Sequence, residues 1–532
     1  FILGASCLFA EPPSVSVPLS CPVYSLIDQL TARTGMEPAN LYTRPFSRKQ
    51  VAAYLLKISN AVRKGTVTLN RVEMQGLDYY CGEFSIEGRL YEDRLPNREK
   101  HVYVFEDTVK KDLLTVDLGL KDSAAWRFSG GHGCMSAVFY GGIRGRMRDQ
   151  LAFRSDVAVA SELNTDKVYR MHNYDPVNGY PYNTFGDTAL TNKKSWDFFE
   201  SGLFLENRIC AVELGVDRLR FGPAERNALT LSGETPPLGL LKLETQFWRF
   251  HYIHTINIIK GTRFRDKYMY AHRLEVALPQ RFRLGLNEVV VYGDSTGDAS
   301  PTNAGNRFGT RHFDALYSIP FIPYYFAQHY SGDRDNMALS LDAACHRIPN
   351  TKIYAELFLD DLISPLSFFD DYWSNKWAFT GGVHYYFPFA WPDLSLLMEY
   401  SRIEPWVYTH FFGESHRYRH YGQSLGSVIG PNADQFFMNA RVAFQRTVVL
   451  DASFRNTRQD RGLRGDLITD TYVLGADPRT KMFLGGVVDG QRFAGLGLTL
   501  EPTRLLRLKF QYDQDLLNGG NAGVQTVVDI NW

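Results

Sequence analysis

The second half of this chain, from about Leu274 onward, consists of short segments in which apolar and polar residues alternate. Between Leu506 and Asp513 every second position is apolar, and the positions between are polar or charged. The alternation returns between Val524 and Trp532, where the printed sequence ends on an aromatic residue. A period of two residues places successive side chains on opposite faces of a β-strand. The pattern therefore predicts a long series of strands, each with one apolar and one polar face.

Alternation alone fits both a soluble β-sandwich and a transmembrane β-barrel. In a sandwich the apolar faces pack on each other, whereas in a barrel they meet lipid and the polar faces line the lumen. Aromatic residues make up 14% of the chain, which suits the aromatic girdles at the two rims of a barrel. No apolar run approaches the roughly 20 residues of a spanning helix. We therefore predict an all-β transmembrane barrel in the outer membrane of a Gram-negative bacterium.

The lengths of the connections predict the topology. Short turns are expected at Pro279-Gln280, His346 to Asn350, Pro388 to Asp393, Arg446-Thr447, Asp477 to Thr480 and Glu501 to Arg504, and they alternate with long connections. Such barrels have short periplasmic turns and long extracellular loops. Counting back from Trp532 gives about seventeen strands as far as Trp196, and an even-numbered barrel needs at least one more. We expect about 18 antiparallel strands, with about 20 or 22 as open alternatives.

The first part of the chain divides into three segments ahead of the strong barrel pattern, which covers 135–532. Residues 1–10 (FILGASCLFA) are apolar and resemble the end of a secretory signal peptide, and acylation of Cys7 is the weaker alternative. In 21–82 the period changes to that of helices, with Ser47 as a cap. We expect a small helical domain here that packs on or plugs the periplasmic end of the barrel. For 83–134, barrel wall and plug are both open.

Charge, cysteines and motifs narrow the function classes. The chain has 58 basic and 58 acidic residues, so nothing suggests nucleic acid as a partner. Cys21 and Cys81 flank the helical segment, which leaves a disulfide between them open in an oxidising compartment. The sequence contains no CxxC, HExxH, Walker or dinucleotide-binding motif. We expect no enzymatic activity, no cofactor and no bound metal.

Two polar clusters have a chemical and a structural interpretation. Asp360-Asp361 and Asp370-Asp371 flank one predicted loop, as a carboxylate pair for sugar hydrolysis or a calcium site would. We favour solvated loop charges, because no ligand spacing repeats. His410, His416 and His420 lie in a second loop at spacings of six and four residues. We interpret them as rim residues rather than zinc ligands.

Two predicted loops combine aromatic rings with hydrogen-bonding side chains. Pyranose rings stack their apolar faces on aromatics, and their hydroxyls need directional partners. The candidate carbohydrate-binding residues are Tyr324, Tyr325, Tyr330, Asp333, Arg334 and Asp335 in the first loop, and Trp406, Tyr408, His410, Arg417 and Tyr421 in the second. For any single aromatic, a place in the mouth of the barrel or in the outer girdle is an equal alternative. Only the clusters as wholes favour binding.

Several separated motifs carry a resemblance to a known family. They read GVDRLRFGPAERNALTLSGETPPLGLLKLE from Gly215, YYFAQHYSGDRDNMALSLDA from Tyr324, and RIEPWVYTHFF followed by RHYGQSLGSVIGPNADQFF between Arg402 and Phe437. In this order they resemble the Wzi-type capsule assembly family over roughly 135–532, and the helical segment is similar to the one that precedes the barrel in that family. The long aromatic loops and the segment before Met135 depart from the enterobacterial members.

The resemblance implies a barrel of eighteen strands, closed to free diffusion, that acts as a surface lectin. Its partners would be capsule or exopolysaccharide, outer-membrane lipid and possible further outer-membrane or surface proteins. Two other functions remain as alternatives: a scaffold that docks other surface proteins, and a diffusion porin. Balanced lumen charges that form ion pairs favour a closed lumen over a porin.

Overall fold

The computed structural model describes residues 12–91, 99–128, 131–164, 193–261, 266–294, 312–362, 368–517 and 522–531. Within these residues the chain forms a closed antiparallel barrel of 18 strands, which confirms the predicted fold class and strand number. Each strand pairs with the next one in the barrel, and the last pairs with the first, with Val524 opposite Trp126. The predicted signal peptide at 1–10 and the terminal Trp532 lie outside the described residues.

The barrel strands are numbered in chain order. They are β1 (Asp112–Arg127), β2 (His132–Met147), β3 (Leu151–Asn164), β4 (Lys193–Glu206), β5 (Cys210–Asp217), β6 (Leu238–Phe247), β7 (Phe250–Lys260), β8 (Asp266–Leu278), β9 (Phe282–Gly293), β10 (Asn336–Cys345), β11 (Thr351–Asp361), β12 (Lys376–Tyr386), β13 (Asp393–Ile403), β14 (Ala433–Gln445), β15 (Val448–Asp460), β16 (Val488–Thr503), β17 (Leu506–Asp515) and β18 (Ala522–Asn531). We call the end of the barrel with short connections the turn end and the other the loop end.

The alternation of residues decides which side chains enter the lumen. On β9, Leu284 and Leu286 face outward and are exposed, whereas Arg283 and Asn287 face inward and are buried. Arg283 donates from Nε to Glu37 Oε2 at 2.9 Å. Glu356 also faces inward, but it accepts main-chain hydrogen bonds, including one of 2.8 Å from Ala224, instead of the ion pair that its charge suggests. The lumen is therefore lined by charged residues that have partners.

The barrel begins earlier than the sequence indicates. The strong pattern predicts a start at Met135, whereas β1 begins at Asp112, so much of 83–134 is barrel wall. The helix-like and strand-like patterns are weak here because small residues face inward, as at Gly119. A Cβ atom at Gly119 would lie 2.2 Å from Tyr140 Cζ, so glycine at that position leaves room for the Tyr140 ring.

The predicted total of strands is right, but the predicted number of strands in the second part of the chain is wrong. From Lys193 to the last strand there are fifteen barrel strands instead of about seventeen. The difference arises at Asp477 to Thr480, which was expected to be a periplasmic turn between two strands. These residues lie inside one long connection, 461–487, at the loop end. Three strands before Lys193 restore the total.

The N-terminal residues form four helices at the turn end: α1 (Val23–Thr34), α2 (Arg48–Arg63), α3 (Arg71–Glu83) and α4 (Ser85–Gly88). Ser47 caps α2 through a capping box with Gln50, as its sequence predicts. Ala32 O accepts from Asn350 N at 3.1 Å, which joins α1 to the turn before β11. Cys21 and Cys81 are both thiols, so the structure does not support a disulfide between them.

Polypeptide enters the lumen from both ends and meets inside. Thr43 and Arg44, which follow α1, pair as a short antiparallel ladder with Phe221 and Arg220 from the connection between β5 and β6. Glu275 on the inner wall accepts hydrogen bonds from the N–H groups of Leu41 and Tyr42. These contacts satisfy main-chain N–H groups of the inserted segment, which would otherwise need water as their hydrogen-bond partner.

None of the helices in the described residues is long and apolar enough to span a bilayer.

Candidate functional site

The second predicted loop, 404–432, folds into the mouth of the barrel at the loop end. The rings of Tyr408 and Tyr418 stack with their centroids 5.4 Å apart. Tyr408 Oη donates to Leu229 O at 2.8 Å, and Tyr418 Oη donates to Thr230 O at 2.7 Å. Both rings are fully buried. They hold this loop to the connection between β5 and β6 and fill the mouth.

Trp406 belongs to a cluster of rings from three connections. Trp373 and Tyr472 stack with centroids 3.6 Å apart and nearly parallel planes, and Trp406 lies edge-on to Tyr472 at 5.5 Å. Trp406 is 3% exposed, and its main-chain N–H donates to Gly465 O at 2.9 Å. The cluster joins three connections at the loop end, 362–375, 404–432 and 461–487, into one packed unit.

The burial of Trp406 and Tyr408 corrects the sequence-based prediction for this loop. A pyranose ring needs a free aromatic face, and neither residue presents one in this conformation. Both residues instead fill the mouth of the barrel, which is the alternative that the sequence left open. The reason is that each ring has partners far away in sequence, which a local pattern does not show.

Three candidate residues of this loop remain partly exposed: His410, Arg417 and Tyr421. Arg417 Nη1 donates to Glu414 Oε2 at 3.0 Å, and its Nη2 donates to Thr471 Oγ1 at 3.0 Å. Burial lowers the pKa of His410 well below its usual range, and the nearby His416 ring adds to this effect. His410 is therefore neutral at physiological pH and can act as both hydrogen-bond donor and acceptor.

Tyr421 lies beside the tip of the β7–β8 hairpin. Its main-chain N–H donates to Lys260 O at 2.9 Å. Lys260 Nζ forms an ion pair with Asp266, whose side chain is 61% exposed. An aromatic ring next to exposed hydrogen-bonding charges is the combination that sugar recognition needs. The sequence does not single out Lys260 and Asp266, because they lie more than 150 residues from Tyr421 and each is unremarkable in its own strand.

The first predicted loop lies elsewhere. Its described part, 312–335, contains helix α5 (Tyr324–Tyr330) and packs against the outer face of β7, β8 and β9. Tyr324 is fully buried there, with its ring 4.0 Å from that of His272. The two groups of candidate residues therefore lie on different sides of the barrel wall, one in the mouth and one on the outer face. Directly after 312–335, Asn336 Nδ2 donates to His416 O at 2.7 Å, which joins the start of β10 to 404–432.

The other candidates in 312–335 divide by exposure. Tyr325 and Tyr330 are exposed, at 51% and 87%. Asp333 is exposed and accepts from Gln328, and Arg334 donates to Ser331 O. Asp335 is buried and accepts from Tyr317 Oη at 2.7 Å, so its role is to hold the segment together. The outer wall therefore carries the exposed aromatics of this loop.

Of the two aspartate pairs, Asp361, Asp370 and Asp371 are exposed, as expected for solvated loop charges. Asp360 was expected to be a solvated loop charge, but it lies at the end of β11, is 5% exposed, and accepts from Tyr408 N at 2.7 Å. Asp371 O accepts from Lys481 N at 2.7 Å. Throughout the described ranges, no group of three or more His, Cys, Asp or Glu side chains is arranged to hold a metal ion.

Comparison with known families gives one match. The model of the family described as capsule assembly protein Wzi matches residues 208–520. The matched range contains 404–432, 312–335 and the connection between β5 and β6. No curated protein matches the chain by sequence.

Solved structures resemble this chain at low sequence identity. Wzi of Escherichia coli, an outer membrane protein involved in group 1 capsule assembly and a carbohydrate-binding β-barrel, is 11% identical, with a TM-score of 0.60 over 97% of this chain and 99% of that one. OccAB2 of Acinetobacter baumannii is 10% identical, with a TM-score of 0.43 over 79% of this chain and 98% of that one. OccK8 of Pseudomonas aeruginosa is 8% identical over the same shares, also with a TM-score of 0.43.

Proposed function

We propose that this chain, which belongs to the Wzi family of capsule assembly proteins, binds surface polysaccharide at the outer membrane and assists its assembly into a capsule. The observation that carries the proposal is the family match over 208–520, which spans most of the barrel. The likeness to Escherichia coli Wzi over 97% of this chain supports the same barrel architecture. The role requires binding and no catalytic step.

The arrangement of the lumen supports this role over that of a diffusion porin. A porin needs an open, water-filled lumen. Here Thr43 pairs with Phe221 inside the barrel, so that segments from the turn end and from the loop end meet. The outer surface of the loop end is then the place where a long polymer has access to the protein.

We place the polysaccharide contact on the loop-end surface formed by Lys260, Asp266, His410, Arg417 and Tyr421. Tyr421 offers a partly exposed ring, and Asp266 offers an exposed carboxylate near that ring. Arg417 and His410 add donors and acceptors for sugar hydroxyls. This surface keeps three of the sequence-based candidates and adds two residues from the hairpin tip.

The test is binding of polysaccharide, extracted from the parent strain, to the detergent-purified protein. Tyr421 has a positive φ of 45°, a region that asparagine tolerates better than most residues, so the variant is Tyr421→Asn. Loss of one stacking contact of about 1 kcal/mol weakens binding roughly five-fold. Tyr330→Ala is the matched control, because it removes a more exposed tyrosine from the outer wall.

The possible results distinguish an error in the proposed function from an error in the location of the binding surface. Weaker binding by Tyr421→Asn with unchanged binding by Tyr330→Ala supports the proposed surface. The reverse result places the contact on 312–335, and unchanged binding by both variants places it elsewhere. A parent protein that does not bind the polysaccharide contradicts the function itself.

A further inference from the structure

The segment 312–335, which we call the outer strap, covers part of the outer wall of the barrel. Alternate residues of β8 and β9 face opposite ways: Met269 and Val289 pack in the core inside the lumen, whereas Tyr270 and Tyr292 face outward. The outward residues form a separate apolar cluster with Tyr317 and Tyr324 of the strap. Because both clusters include neighbouring residues of the same strands, the strap lies on the outside.

Beneath the strap lies a row of polar side chains on the face that would otherwise meet lipid. His254, His272 and Glu288 are cross-strand partners on β7, β8 and β9. His272 is the central residue of β8, at the middle of the barrel wall. Polar groups that face lipid at mid-height are costly, and the cost falls towards the rims. The strap buries His254 completely and leaves His272 only 7% exposed.

The outer wall also supplies hydrogen-bond partners to the main chain of the strap. Tyr292 Oη accepts from Asp314 N at 2.8 Å, and Glu288 Oε2 accepts from Tyr324 N at 3.1 Å. Tyr252 Oη accepts from Phe321 N at 3.2 Å. Non-helical main chain is tolerated at membrane depth only where its polar groups find partners in protein. The polar residues of the wall meet this requirement at the ends of the strap's turns and at the start of α5.

The opposite side of the strap presents large apolar and aromatic side chains. They are Phe313, Ile319, Phe321, Tyr325, Phe326 and Tyr330, all at least half exposed. Next to them on the uncovered wall, Leu284, Leu286 and Leu341 are exposed in the same way. Water does not favour such a surface, because contiguous exposed apolar patches mark membrane or protein contacts. The strap thus continues the lipid-facing band of the barrel.

We propose that the outer strap is embedded in the outer membrane, where its exposed side chains contact lipid acyl chains while its inner side seals the polar row of the wall. A second copy of the chain would also cover an apolar surface. Lipid is favoured because the strap is continuous with the lipid-facing band and lies at its mid-height. The inference rests on the barrel crossing a membrane and is independent of polysaccharide binding.

The test measures the depth of spin labels in lipid nanodiscs. In a variant whose native cysteines are replaced by alanine, single labels are attached after Ile319→Cys and Phe326→Cys on the strap. Leu284→Cys is the reference for uncovered wall, and Ala476→Cys, an exposed position in 461–487, is the reference for the aqueous loop end. Oxygen, which partitions into lipid, and a water-soluble nickel chelate then relax each label to different extents.

We expect both strap labels to match Leu284→Cys, with high oxygen and low nickel accessibility. Nickel accessibility like that of Ala476→Cys would place the strap in water and overturn the proposal. Shielding of the strap labels from both reagents, with magnetic coupling between labels on two molecules, would show that a second copy is the occupant and would also overturn it.

A second variant tests what holds the strap to the wall. Glu288→Leu removes the acceptor of Tyr324 N and makes the wall apolar at that position. We expect hydrogen exchange at residues 321–327 to accelerate several-fold in the same nanodiscs. The matched control is Leu286→Ala, two residues away on the same outward face and outside the strap contact. Unchanged hydrogen exchange at 321–327 in Glu288→Leu would contradict the proposal that the polar row of the wall holds the strap in place.

Discussion

Arg273 holds both carboxylate oxygens of Asp342 inside the barrel, with Nη1 to Oδ2 at 2.6 Å and Nη2 to Oδ1 at 3.1 Å. Arg273 has no exposed side-chain surface. Such bidentate pairs fix geometry as well as charge. The pair links β8 to β10 across the inner face of β9. It therefore reinforces, from the inside, the same part of the wall that the outer strap covers from the outside.

Replacement of Arg273 alone should destabilise the barrel. Arg273→Met leaves the Asp342 carboxylate buried without its cation, which costs about 3–5 kcal/mol in free energy of unfolding. Urea unfolding of the refolded protein in detergent measures this loss. The double variant Arg273→Met/Asp342→Leu should recover most of it, because the carboxylate that loses its cation in the single variant is removed as well. As a control, Lys110→Ala at the exposed Lys110–Asp107 pair should leave the unfolding midpoint unchanged. Equal stability of the single and double variants would argue against the pair.

The hydroxyl of Tyr408 should stabilise the packing of the mouth. Tyr408→Phe keeps the stacked ring but leaves Leu229 O without its donor at 2.8 Å. A buried acceptor that loses its partner costs about 1–3 kcal/mol. We expect faster hydrogen exchange in 404–432 and a lower thermal midpoint. Tyr330→Phe, at an exposed tyrosine, serves as the control and should change neither quantity. Normal protection of 404–432 in Tyr408→Phe would show that stacking alone holds the loop.

The packing of 404–432 should weaken in acid. Burial lowers the pKa of His420 to about 3, and Lys267 and Lys260 act in the same direction. The ordinary pKa of a histidine is about 6.5, so the unfolded loop binds a proton below that pH while the packed loop does not. Stability is therefore complete above pH 6.5 and falls progressively as pH drops towards 3.

Hydrogen exchange at 416–425, corrected for the intrinsic effect of pH, measures this dependence between pH 7.5 and 5. His420 Nδ1 accepts from Lys260 N at 2.8 Å, a contact that an amide oxygen can replace. His420→Gln should therefore show a smaller loss of protection in acid than the parent. An equal loss in both proteins would assign the pH dependence to another group, such as His410, whose pKa is also lowered by burial.

The protein should not conduct ions in planar bilayers. The ladder between Thr43 and Phe221 joins segments that enter the lumen from its two ends, and a steady current needs a continuous water-filled path. Single-channel recording with a known porin as positive control tests this expectation. A stable, voltage-independent conductance from the purified protein would favour the porin alternative over a surface lectin.

The sequence by itself determined the closed barrel and the direction in which its side chains point. Period-two alternation is a local property, and inward Arg283 and outward Leu284 follow from it directly. The helices at the turn end also follow from local signals, such as the cap at Ser47. The start of the wall at Asp112 escaped the pattern because small residues interrupt it.

Only the tertiary structure decided which aromatic residues are available for a ligand. A cluster of aromatics beside polar residues has the same composition whether it fills the mouth, contacts lipid or binds sugar. Tyr408 is buried because its hydroxyl reaches Leu229, and Tyr324 because its ring reaches His272, and both partners lie far away in sequence. Contacts over such separations depend on how loops fold back on a closed wall, where hydrogen bonding and burial, rather than local periodicity, set the outcome.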